Sequence, residues 1–218
     1  MIKPVLIVTL LLGFMLTTAY GQDFEATKQA AEKGDPAAQV QLGTMYNSGE
    51  KDYGVPKNNA EAIKWYRLAA EQGYAQGEND LGNMYREGEG VAKDHAEAAK
   101  WYKLAADQNH AGSLNHLGWY YYTGEGVAKN DTEAVRLYRL AVVQGHAHSQ
   151  FNLAIMYENG AGVPQDSILA YVWYSLAIAH NGAAESRDKI KATLSPEQLV
   201  KAEQIAARCL ESKYKDCN

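Results

Sequence analysis

The sequence predicts an all-α fold, a solenoid of stacked antiparallel helix pairs. Three observations predict it. First, Trp65, Trp101, Leu137 and Trp173 fall 36 residues apart, each followed by a tyrosine: Tyr66, Tyr102, Tyr138 and Tyr174. Second, Leu81, Leu117 and Leu153 keep the same spacing, each with a tyrosine four residues on, Tyr85, Tyr121 and Tyr157. Third, a glycine-rich link recurs in phase with both. A period of this length marks supersecondary units, none of which buries its apolar face alone. Such folds bind other molecules along an extended surface, which argues against a pocket enzyme.

At 218 residues the chain is long enough for one domain or one array with a continuous core, and 46% hydrophobic with 22% charged residues describes an ordered protein. Residues 1–21 read as a secretory signal peptide: Lys3 is the positive start, Val5 to Leu16 the apolar run, and Ala19 and Gly21 the small residues before a cut at Gln22. The run is short for a bilayer span, and no cysteine follows to carry a lipid. The expectation is export to the periplasm or medium without an anchor. The formal net charge is −5, one unit more negative once Lys3 leaves with the leader. An acidic chain has no electrostatic case for nucleic acid.

The second helix of each unit is written in start, stripe and stop signals. Around Trp101, the residues Ala98, Trp101, Tyr102, Ala105 and Ala106 make an amphipathic stripe. Asn58, Asp94, Asn130 and Asp166 stand where N-caps belong, and Glu61, Glu97 and Glu133 follow in capping-box position. Asn130 also fits a glycosylation sequon, but the period already requires a cap there. Gly73, Asn109, Gly145 and Asn181 are the stop residues. The first helix carries Leu42-Gly43, Leu81-Gly82, Leu117-Gly118 and Leu153-Ala154. A mid-helix glycine costs about 1 kcal/mol against alanine, and Ala154 excludes a positive φ as its reason. These glycines are expected to be notches for a partner helix. The links, Gly88-Glu89-Gly90-Val91, Gly124-Glu125-Gly126-Val127 and Gly160-Ala161-Gly162-Val163, follow a helix and recur, so they read as turns, not phosphate loops.

Ala-x-x-x-x-Leu-Gly-x-x-Tyr, then Gly-x-Gly-Val, then Ala-x-x-Trp-Tyr-x-x-Ala-Ala resembles the Sel1-like repeat, a relative of the tetratricopeptide repeat. The resemblance implies a right-handed α-solenoid with four units, at residues 35–73, 74–109, 110–145 and 146–182. Residues 22–34 read as an N-terminal capping helix, and 183–218 as C-terminal capping helices and tail, with Ser195 as N-cap and Pro196 at the first helical position. Lys201, Glu203, Gln204 and Glu211 suit the polar outer face a terminal cap needs.

If helices stack as the resemblance implies, the first helix of each unit lines a concave surface. Away from its structural stripe, unit one offers Ala37, Val40, Thr44 and Asn47, and unit two Gln76, Asn79, Asn83 and Arg86. Unit three offers Gly112, Asn115, Trp119 and Tyr122, and unit four His148, Phe151, Ile155 and Glu158. These positions vary while the structural ones repeat. Trp119, Tyr122, Phe151 and Ile155 are bulky residues the repeat does not require, of the kind interface hot spots use. Asn79, Asn83, Asn115 and Arg86 suit a peptide backbone or carboxylate. Alternatively, Trp119 and Phe151 pack against terminal helices folded back into the groove.

Other chemistry is thin. His110 and His146 open units three and four, where Tyr74 opens unit two, and read as helix-junction packing. His116, His146 and His148 lack a metal-site pattern, and no cofactor is expected. Ser186-Arg187-Asp188-Lys189 and Ser212-Lys213-Tyr214-Lys215 match Ser-x-x-Lys, but the companion motifs of serine β-lactamases are absent. Cys209 and Cys217 invite a disulfide in an exported chain. An unbroken helix would set them about 12 Å apart, beyond reach, so a bridge requires a turn after about Ser212; the alternative is two free thiols in a frayed tail. The reading is therefore a non-enzymatic interaction scaffold of the cell envelope that binds a protein or peptide in the groove. A cell-envelope hydrolase or peptidoglycan-associated factor is the second reading. Partner identity and oligomeric state are not written in the chain.

Overall fold

A computed structural model describes residues 24–49, 54–177 and 179–217. The expected signal peptide at 1–21 lies outside them. Among the described residues there are helices and no strands. Helix α1 covers 24–32, followed by α2 (Pro36–Ser48), α3 (Asn59–Glu71), α4 (Ala75–Glu87), α5 (His95–Asp107) and α6 (Ala111–Thr123). Then come α7 (Asp131–Val142), α8 (Ala147–Asn159), α9 (Ser167–Leu176), α10 (Ala183–Lys191) and α11 (Pro196–Glu211). They form two compact units, one ending at Asp94 and one beginning at His95. No helix among the described residues is long and apolar enough to cross a membrane.

In the first unit α2 packs on α3, and α3 on α4. Ala31 of α1 is buried with Ala38, Leu42 and Trp65, and Phe24 meets the ring of Tyr46 edge-on at 6.2 Å. The N-terminal helix thus closes the apolar end of the first pair. In the second unit α5 to α9 pack in sequence, and both α10 and α11 pack on α9. Its core runs from Ala134, Tyr138 and Leu153 through Trp173 and Tyr174 to Ile205 and Cys209.

The caps explain where helices begin. Asn58 and Asn130 accept the N–H of Glu61 and Glu133 at 3.2 and 3.0 Å, and Asp166 accepts from Ile168 and Leu169. Glu61 and Glu133 turn to Lys64 and Arg136 on the next turn. The full capping box appears instead at Ser195 and Gln198. Gly73, Asn109 and Gly145 take positive φ as stop residues. The fourth copy differs: α9 ends at Leu176, capped by Ala177, and the positive φ falls on Gly182 instead of Asn181. The chain leaves the helix early there, and His180 packs back on Phe151.

The notch glycines have a physical cause. A Cβ on Gly43 would lie 2.7 Å from the Tyr66 ring, and one on Gly118 would lie 2.7 Å from the Tyr138 ring. Neither glycine has a positive φ. Burial raises the Tyr66 hydroxyl to about 12 despite its bond with Thr44. In the links, Gly126 and Gly162 combine positive φ with backbone contact against His95 and Asp131, so a side chain is excluded twice.

The C-terminus turns as a bridge requires. Lys213 and Tyr214 adopt positive φ, Tyr214 N–H donates to the Cys209 carbonyl at 2.7 Å, and Cys209 and Cys217 are joined as a disulfide.

Candidate functional site

In the unit ending at Asp94, the proposed groove residues are engaged with their own chain. Asn47 of α2 donates to Asn59 at 3.3 Å and to Glu89 at 2.8 Å, tying helix ends together. Asn79 of α4 is buried, and its amide donates to Asp80 at 3.0 Å. Arg86 is half-buried and pairs with Glu87 at 2.9 Å, while Asn83 is half-buried on the same helix. Burial of Asn79 removes it from the set a partner can reach.

The unit beginning at His95 sorts its residues more sharply. Asn115 of α6 is only 8% exposed, and its Oδ1 accepts from Ser149 Oγ and Asn152 Nδ2, both at 3.0 Å. Its amide oxygen holds α6 against α8 and is not offered to a peptide. One turn later Trp119 is 36% exposed, touching Tyr120 edge-on at 5.3 Å. Tyr122 is half-buried beneath the Lys129 ammonium, 5.5 Å from its ring centre. On α8, His148 is exposed, and Phe151, Ile155 and Glu158 are half-buried.

Two of these α8 residues are held from the C-terminal side. Phe151 stacks on His180 at 3.9 Å with planes 13° apart, and Tyr174 meets it edge-on at 5.3 Å. Glu158 accepts the Tyr174 hydroxyl at 2.5 Å. Burial and this carboxylate push the Tyr174 hydroxyl well above its ordinary value. The cover on Phe151 therefore comes from His180, in the turn at 179–182, while α10 and α11 pack on α9. Trp119 keeps its exposure.

The histidines do what sequence reasoning missed. His110 and His146 are N-caps of α6 and α8: their Nδ1 atoms accept the N–H of Ser113 and Ser149 at 3.2 and 3.3 Å. The signal was present as His-x-x-Ser at both unit starts. His116 stacks on Tyr102 at 4.7 Å, whereas His148 lies 5.7 Å from His146 and 4.8 Å from His180. Burial, with His148 and His110 nearby, lowers the His146 pKa. Among the described residues no group of three or more His, Cys, Asp or Glu side chains is placed to hold a metal ion. A second missed pattern joins the second helix of one repeat to the first helix of the next: Arg67 donates to the Tyr85 hydroxyl at 2.8 Å, and Arg139 to that of Tyr157 at 2.7 Å.

In the first Ser-x-x-Lys match, Ser186 hydrogen-bonds the Tyr174 side chain. Lys189 is exposed and pairs with Glu185 at 2.7 Å, and that partner raises its pKa. A lysine acting as base at neutral pH needs the opposite shift. In the second match, Ser212 Oγ donates to the Cys209 carbonyl at 3.0 Å and accepts the Asp216 N–H at 2.9 Å.

Comparison with known proteins agrees with this architecture. The chain is similar to the crystal structure of a protective antigen of uropathogenic Escherichia coli with an SLR fold, at 34% identity and a TM-score of 0.72. That match covers 91% of this chain and 44% of the antigen, so the chain spans less than half its relative's length. It is also similar to a Sel1 repeat protein from Oxalobacter formigenes, at 35% identity and a TM-score of 0.66, covering 80% of this chain and 72% of that one. No curated protein sequence matches it significantly. The Sel1 repeat profile matches residues 36–74, 75–110, 111–146 and 147–182, each beginning one residue after the unit boundary read from the sequence. With four repeats in phase and two solved relatives of the same fold, the chain belongs to the Sel1 repeat family.

Proposed function

We propose that the protein is a non-catalytic interaction scaffold that captures a protein or peptide segment on the α6 and α8 face. Sel1 repeat proteins are typically protein–protein interaction scaffolds. The observation that carries the reading to this face is Trp119: 36% exposed, on a helix whose neighbouring Asn115 is buried with its amide oxygen bonded within the fold. A large aromatic left accessible on a rigid helix is the residue type that anchors interfaces. Tyr122, Phe151 and Ile155 extend the apolar surface, and His148 and Glu158 supply its polar edge. The leader-like residues 1–21 support export, with the scaffold acting in the periplasm or medium.

For the hydrolase reading, the Lys189 ammonium pairs with Glu185, which favours its charged form over that of a base. The direct test is capture from cell-envelope extract by wild type and by Trp119→Ala with Phe151→Ala. Loss of a specific captured protein supports the face. Unchanged capture with lowered thermal stability places both rings in the core and sinks the reading.

A further inference from the structure

The corner between α8 and α10 carries a chain of imidazoles. His146 caps α8, His148 is the second residue of that helix, and His180 follows at 4.8 Å from His148. His180 lies flat on Phe151 at 3.9 Å. Burial and then His148 and His110 lower the His146 pKa, and burial and then His148 lower that of His180, against a backbone hydrogen bond at Asn181 that raises it. No carboxylate is among them. Tyr174, on the other side of Phe151, keeps its hydroxyl protonated through burial and its bond to Glu158, and that bond engages the Glu158 carboxylate.

We propose that this imidazole chain is an acid-opened cover: protonation releases His180 from Phe151 and enlarges the apolar surface of α8. The proposal rests on reading the α6 and α8 face as a docking surface, and it adds regulation to that face. Burial lowers the pKa of His146 and of His180, which favours their uncharged forms at neutral pH, and the stack holds. As pH falls through the imidazole range, positive charge accumulates on His146 and His180 near the positive end of the α8 dipole. His146 and His148 are fixed at the start of a helix. His180 lies in the turn at 179–182 ahead of α10, so it is the ring that can move away. Attraction between an imidazolium and the Phe151 face acts against release, but Phe is a weaker partner than Trp for a cation.

The test uses the full chain and the apolar dye anilinonaphthalene sulfonate, with far-UV circular dichroism as a check on folding. Between about pH 7.5 and about pH 5.5, dye emission of the wild type is expected to rise about twofold or more at unchanged helicity. The rise is expected to vanish in His148→Gln with His180→Gln, and in Phe151→Ala. His180→Gln alone, outside any helix, serves if the double variant fails to fold. A rise that persists in the histidine variants overturns the proposal. So does a wild type whose emission stays level or falls. These readouts need no partner, so their failure leaves the docking surface standing. That surface fails separately if Trp119→Ala captures normally at about pH 7.5.

Discussion

A methyl group on Gly118 would meet the Tyr138 ring at 2.7 Å, in a core where that tyrosine is 1% exposed. Gly118→Ala is therefore expected to cost about 1–3 kcal/mol by overpacking, measured by urea denaturation, although alanine is the better helix former. Asn115 and Trp119 are separated by one helical turn and by role. Asn115→Ala leaves the Ser149 and Asn152 donors without their acceptor, and about 1–3 kcal/mol of stability is expected to go. Trp119→Ala is expected to change stability far less while removing capture. The notch glycines were legible because they recur at a cost that only close packing offsets. Burial of Asn79 and Asn115 was not legible: a residue that varies between copies can still be the one that bonds the neighbouring helix.

At the scale of the helix, the second helices follow their sequence signals because capping is local: a side chain bonds an N–H two or three residues away. The same rule placed the stop signals in three copies and failed in the fourth, where packing of His180 on Phe151 takes the chain out of α9 before Asn181. The histidine cap of α8 makes that helix pH-sensitive. An N-cap must accept, and a protonated Nδ1 cannot. The folded His146 pKa lies below its ordinary value, mainly through burial and then through His148 and His110. The unfolded chain thus binds more protons in the window below about pH 6.5. The stability from this cap is present above that window and is lost as pH falls through the lowered value. His146→Asn, a cap that does not titrate, is expected to flatten part of the decline in melting temperature between about pH 7 and about pH 5. An unchanged profile would remove His146 from the acid response.

Across the whole chain, the 36-residue period revealed the repeat fold because stacking imposes the same demands on every copy. Subtracting what repeats to find what functions was less complete. Leu68, Leu104 and Leu140 recur in phase, yet they are 37%, 47% and 37% exposed. Recurrence therefore does not by itself mean burial, and the periodic signal does not say which face a leucine takes. At the C-terminus, the Cys209–Cys217 bridge closes a short loop and contributes about 2.5 kcal/mol in the chain-entropy model. Reduction is expected to lower the melting temperature and to raise hydrogen exchange first in the last turns of α11. The central claim is that one exposed ring on α6 anchors a partner. Its most direct test is a binding isotherm for a captured envelope protein, run with wild type, Trp119→Ala and Asn115→Ala after each variant's melting temperature is known. The account predicts at least about tenfold weaker binding for Trp119→Ala at nearly unchanged stability, the loss of a hot spot, with Asn115→Ala showing the reverse. Equal affinity for wild type and Trp119→Ala would contradict it.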